Sequence, residues 1–267
     1  MNNVSAVSSL SGVSRPGPQR ELRIFADGRE IAQGCRIRLS LLEHMSLLPQ
    51  LYSLEIENLS ESSQAQVASA SSIEVQSGNS VLASGSVISV CPRNESGRKI
   101  LSVSFSPGFG LWQSVVALSV TDGLSVSDTM KAVLASSGSG VPLAAFLAKD
   151  KNMTRPQAFF GRVCDALRIL ADTVSAKACL TAAGLCVVDP SLQAPTVYIP
   201  ESFLAEDPVF LPDRYILKTE IAGWPLGTCL QFTWQGRTYQ GLLSARMLNL
   251  DNVEGPWQSQ LEVTVTG

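Results

Sequence analysis

From Tyr52 to Glu57 the chain alternates strictly, with Tyr52, Leu54 and Ile56 apolar and Ser53, Glu55 and Glu57 polar. Successive side chains of an extended strand point to opposite faces, so this period commits the segment to a sheet with one dry and one wet face. The alternation stops at Asn58-Leu59-Ser60, and the polar stretch from Ser60 to Val67 predicts a short helix. The same period of two recurs along the chain. Ile37, Leu39 and Leu41 alternate with Arg36, Arg38 and Ser40. Leu101, Val103 and Phe105 alternate with Ser102 and Ser104. Leu261, Val263 and Val265 alternate with Gln260, Glu262 and Thr264.

Further strands are expected at Ser72–Gln76, at Ser80–Val90 (one strand, or two broken at Gly85), at Tyr215–Ile221, around Leu230, Phe232 and Trp234, and at Tyr239–Leu248. Glu21–Ile31 reads as a hairpin about Asp27-Gly28, a dipeptide that tolerates the positive φ of a two-residue turn. Strands separated by turn signals every roughly 8–12 residues point to a barrel or sandwich.

The pattern changes in the middle. Leu111–Val120 is expected to be an apolar strand. Ser125-Val126-Ser127-Asp128 has the form of a capping box, followed by Met130, Val133 and Leu134 at helical spacing. Thr154-Arg155-Pro156-Gln157 suggests a second box with proline at the first helical position. The helix it predicts carries Phe159, Phe160, Val163, Ala166, Leu167, Leu170 and Val174 on one face. Ala176–Asp189 is expected to form a hairpin around Gly184, which would bring Cys179 and Cys186 across from each other, bonded or as free thiols.

The expected organisation is mainly β: a flexible arm at 1–19, a first tube-like β portion at 20–108, an α+β insertion at 109–190 and a second tube-like β portion at 191–267. The last opens with the proline-rich, largely extended linker Ser191–Pro212. Residues 1–19 are too poor in apolar side chains to order themselves. They are a loose tail or an arm that orders against a neighbouring subunit.

Composition narrows the function. Charged residues make up only 16% of the 267, against about 25% in an average soluble domain. A net charge of −3 excludes a basic nucleic-acid-binding face, though not a channel that DNA merely passes through. No apolar run approaches the roughly 20 residues of a membrane span, and residues 1–19 lack the basic region and apolar core of a signal peptide.

Catalytic chemistry has little to work with. His44 is the single histidine and has no nucleophile motif beside it. Six dispersed cysteines without a Cys-x-x-Cys pair give no zinc spacing. No phosphate-binding loop occurs, and Gly108-Phe109-Gly110 suits a turn. Glu55 and Glu57 share one strand face about 7 Å apart, the one arrangement that could serve a glycoside hydrolase; solvated strand faces carry such pairs commonly. No catalytic, cofactor-binding or metal-ligating residue is assigned, and no cofactor is expected. Among the four tryptophans, Trp112 falls in the expected strand Leu111–Val120 and Trp234 is expected in a core, whereas Trp224 and Trp257, in loops beside Pro225 and Pro256, are either interface anchors or packed on their own domain.

Three stretches taken in order resemble the baseplate hub proteins of tailed phages and phage-derived contractile machines, the late control protein D-like group with tail-tube-like barrels. They are Tyr52–Val67; Pro156–Val174 with the hairpin Ala176–Val188, including Phe160-Gly161 and Asp165-Ala166-Leu167; and Gly236–Val265, with Gly255-Pro256-Trp257-Gln258-Ser259-Gln260-Leu261-Glu262-Val263 as its closing strand. The resemblance covers most of the chain after residue 20, and the chain is shorter than many hubs. It implies a non-enzymatic homotrimer, in which two tube-like portions per subunit make a pseudo-sixfold ring around a channel. Implied partners are copies of itself, the tail tube protein and the central spike protein, with the tape-measure protein and other baseplate proteins as further candidates. DNA is only passing cargo and nothing inserts in a membrane. The implied place is the virion tail, assembled in the bacterial host cytoplasm. The competing readings are an intrinsically sixfold tube or tube-initiator ring and a tail-tip cell-wall hydrolase acting through Glu55 and Glu57.

Overall fold

The computed structural model describes residues 20–191, 196–220 and 224–265. The predicted N-terminal arm lies outside the described residues, as do Ile221 and part of the linker.

The first portion comprises β1 (Arg23–Ala26), β2 (Arg29–Ile31), β3 (Arg36–His44), β4 (Tyr52–Glu57), α1 (Glu61–Ser69), β5 (Ser72–Ser77), β6 (Ser80–Glu95) and β7 (Arg98–Ser106). Strands β1 and β2 pair across Asp27-Gly28 as predicted, both with positive φ. Ser60 caps α1 by accepting the Ser63 N–H, and β6 runs through Gly85 as one strand. The order β3-β4-β7-β6-β5-β1-β2 wraps one core. Ile24 and Ile31 from one end of the sheet meet Leu39, Leu54, Val75, Val103 and Phe105 in a single cluster.

The insertion comprises α2 (Phe109–Gln113), β8 (Val115–Val120), α3 (Val126–Ser137), β9 (Leu143–Leu147), β10 (Gln157–Arg162), α4 (Val163–Thr173), β11 (Lys177–Thr181) and β12 (Gly184–Val188). Ser125 caps α3 through the Asp128 N–H, as its sequence predicts. Two expectations are corrected here. The apolar stretch from Leu111 opens as the short helix α2 before β8 begins at Val115. The helix expected from Pro156 starts only at Val163, because Gln157–Arg162 is extended and pairs antiparallel with β8 over six residues. Gly161, at φ 111°, sits in a backbone region closed to helix, and the ladder to β8 outweighs the local capping signal. Phe159 is buried, but Phe160 points away from the core at 76% exposure. Helix α4 keeps the predicted apolar face of Val163, Ala166, Leu167 and Leu170. Strands β11 and β12 form the expected hairpin, and β9 joins β12 in parallel.

The second portion comprises β13 (Thr196–Ile199), a 3-10 turn at Glu201–Phe203, β14 (Val209–Phe210), β15 (Arg214–Thr219), β16 (Cys229–Trp234), β17 (Arg237–Asp251) and β18 (Trp257–Val265). The stretch expected to be a linker therefore contributes two strands, β13 and β14. Phe210, Tyr215, Phe232 and Tyr239 meet with centroid separations of 4.8–6.4 Å, bringing β14 and β15 against β16 and β17 across the module.

Strand β17 joins the two β portions. Arg237–Leu242 pairs with β16, Ala245–Asp251 pairs with β3 on the same side, and β18 follows the other side. The change of partner from β16 to β3 falls at an irregularity between Leu243 and Ala245, where the Ser244 carbonyl accepts the Met45 N–H. Leu248 and Leu250 enter the first core while Leu243 enters the second, so one strand belongs to both.

Candidate assembly surface

Two groups of side chains bracket the seam between β3 and β17. At one end Glu43 continues the inward series Ile37, Leu39 and Leu41, which puts a carboxylate on the buried face of the sheet at 1% exposure. Arg246 satisfies it with Nε and Nη2 at 2.9 and 2.6 Å, and the Tyr52 hydroxyl donates to its other oxygen. Burial, followed by the Glu43 charge, pushes the Tyr52 hydroxyl pKa well up, so it remains a donor.

At the other end Asp251 accepts from Arg36 and Arg38 and from the N–H groups of Val253 and Glu254. Burial alone would raise its pKa, but these donors overcome it and hold the carboxyl at about 2. A depressed folded value contributes stability that is complete above the ordinary carboxylate range and disappears as pH falls through about 4 to about 2. The contribution of this side chain is about 2 kcal/mol. We expect the unaltered protein to lose about 2 kcal/mol more than Asp251→Asn between pH 5 and pH 2, measured by urea unfolding. Equal losses in the two proteins would remove Asp251 as the cause.

The wet faces of five strands align into rows. Asn249, Ser40, Ser53, Ser104 and Ser89 lie side by side across β17, β3, β4, β7 and β6. The next row holds Asp251, Arg38, Glu55, Ser102 and Cys91. Glu55 and Glu57, the only predicted carboxylate pair, fall in this region and are taken up by arginines: Arg38 and Arg93 on Glu55, Arg36, Arg38 and Arg98 on Glu57. The geometry is that of a clamp across strands, each acid held by at least two arginines.

The other singled-out residues are dispersed. His44 ends β3, exposed, with its backbone bonded to Gln50. Cys179 and Cys186 are cross-strand partners as predicted, both buried free thiols, and burial pushes both thiol pKa values up. Trp234 and Trp224 pack on the second β core and Trp257 on the first, beneath the Arg20 guanidinium at 5.8 Å. Trp112 lies under Arg162 at 5.5 Å. Among the described residues no group of three or more His, Cys, Asp or Glu side chains is placed to hold a metal, and no helix is long and apolar enough to cross a membrane.

What remains open is backbone. Among the described residues, β2 and β14 end the strand order of the large sheet, and β13 pairs only with β16. In the insertion, β8 and β10 pair only with each other among the described residues, leaving both outer edges of that ribbon unmatched. Unpaired edges of this kind template strand addition. The edges and the seam escaped the sequence reading, because pairing partners over 200 residues apart leave no local signal.

Two β portions share the strand β17, and a helical insertion lies between them in the chain. No described protein family matches the sequence, and no curated protein does. Solved structures do. A tail protein from Neisseria meningitidis superposes with a TM-score of 0.66 at 14% identity, over 92% of this chain and 96% of that one. The 43 kDa tail protein of a Shewanella oneidensis prophage gives 0.67 at 10% identity, over 92% and 98%. An Escherichia coli type VI secretion component, itself described as similar to the T4 phage tail proteins gp27 and gp5, gives 0.62 at 8% identity, over 91% of this chain and 76% of that one. At such identities the likeness establishes the fold.

Proposed function

We propose that this protein is a structural hub of a phage-type tail baseplate or tail tip, a homotrimeric, non-enzymatic adaptor that joins a sixfold tail tube to a threefold central spike around a channel. The observation that carries the reading is the set of edges left unpaired at β2, β13 and β14 in a fold otherwise shared with tail proteins over more than nine-tenths of the chain. Each edge needs a partner, and copies of the same chain supply one with closed symmetry. Two β portions fused on one strand give three subunits six sheet modules. The hydroxyl row of Ser40, Ser53, Ser104 and Ser89 suits a wetted channel wall, and the arginines beside it are engaged by Glu55, Glu57 and Asp251, which leaves little cationic foothold for DNA. Division at 20–108, 109–190 and 191–267 follows from the same reading, as do location in the virion tail and contacts with tube, spike and other baseplate proteins. The clamped state of Glu55 and Glu57 favours this reading over a hydrolase.

Analytical ultracentrifugation of the purified chain, with copies counted around the axis in electron micrographs, tests it. Rings of three copies are expected. Six identical copies would replace the hub with a tube ring, and a protein that stays monomeric at high concentration would end both readings.

A further inference from the structure

Two apolar strips on this chain lie outside its three cores, and both sit on open sheet edges. The first is the outer face of the β8–β10 ribbon, where Phe160 pairs with Ala117 and Arg162 with Val115, so that all four side chains share one face. Phe160 is 76% and Val115 71% exposed. The second is the edge strand β14 with its continuation. Phe210 leans on Phe232 and Tyr239 yet stays 42% exposed, and Val209 and Leu211 flank it at 51% and 41% exposure.

The charges beside the strips are opposite in sign. The ribbon is flanked by Arg155 and Arg162, and the β14 strip by Asp207. None of these three makes an ion pair among the described residues, although Glu206 and Asp213 close by are paired with Lys218 and Arg214.

From this we infer that the β8–β10 ribbon of one copy receives the β14 edge of the next, a head-to-tail contact between two copies of this chain. It rests on the ring reading and names its interface. Strand addition at an open edge gives the backbone bonds, and Phe160, Val115, Val209 and Leu211 supply the buried apolar contact. Asp207 meets the basic flank and fixes the orientation. Two different patches meeting is the requirement for a heterologous contact, which closes into a ring when the rotation allows it. An isologous pair would stop at two copies.

Phe160→Asp removes the ribbon side of the contact and Val209→Asp the strand side. Both residues are exposed, so circular dichroism and thermal midpoints close to those of the parent are expected. Each variant alone should sediment as a monomer under conditions where the unaltered chain is assembled. Mixed in equal amounts they should form a two-copy species and grow no further, because each brings the one face the other lacks. Charge reversal covers the case in which either variant misfolds. Asp207→Arg alone should weaken association about tenfold, equivalent to about 1.4 kcal/mol, and adding Arg162→Asp in the same chain should restore it.

Variants that assemble like the parent, a mixture that remains monomeric, or charge reversal without effect while the parent forms rings would each overturn this interface and leave the ring reading standing. A parent that never assembles would overturn both.

Discussion

Replacing Arg246 with methionine is expected to cost about 3–5 kcal/mol of unfolding free energy, because it strands a buried charge. Glu43 is 1% exposed, and after the change it would retain only the Tyr52 hydroxyl. In a chain of this size the loss should lower the thermal midpoint by about 10 °C. Pairing the change with Glu43→Leu should recover most of it, since replacing a buried ion pair by apolar side chains is commonly neutral or better. A single variant as stable as the parent, or a double variant no better than the single, would show that the pair is not what holds the seam. The expectation is specific to this pair: the exposed pair of Lys131 and Asp128 on α3 belongs to a class worth little, under about 1 kcal/mol.

Gly241→Ala is the second large effect. A Cβ at this position would collide with the Thr264 carbonyl oxygen and stand 2.8 Å from a Val263 methyl. Gly241 pairs with Leu230 on one side and Val265 on the other, just before β17 changes from β16 to β3. The clash falls on backbone that cannot rotate away, so we expect a loss of about 3 kcal/mol. The same replacement at Gly110, which has nothing within 4 Å and lies in α2, should be neutral or stabilising by under about 1 kcal/mol. Comparing the urea midpoints of the two variants separates local crowding from a general intolerance of alanine. Equal midpoints would mean that β18 can shift to make room.

The alternation at Tyr52–Glu57, Arg36–Leu42, Lys99–Phe105 and Gln258–Val265 was legible because each strand packs one face and wets the other, a property written residue by residue. The caps at Ser60 and Ser125 were legible for a similar reason, since the bond is made within three residues. Gln157–Arg162 misled because Phe159 and Val163 are four apart, a spacing that fits a helix as well as a strand running into one. What decided it was β8, some forty residues back. Strand β9 was missed, and β13 was taken for linker, because each is the parallel neighbour of a distant strand and lies beside prolines. Of the candidate surface, the polar strand faces were visible in the sequence. The open edges, the outward turn of Phe160 and the partnership of Glu43 with Arg246 were not, because each is decided by which segments meet rather than by what any segment contains.

The meeting of β3 with β17 has a consequence for the order in which the molecule is made. When β3 leaves the ribosome, the strand that will cover its free side is still some 200 residues from being synthesised. Until then the nascent sheet holds a carboxylate without its cation and an edge without its partner. That edge stays open until β17 has been made, and a message cut short within β17 would leave a product that is sticky rather than merely incomplete.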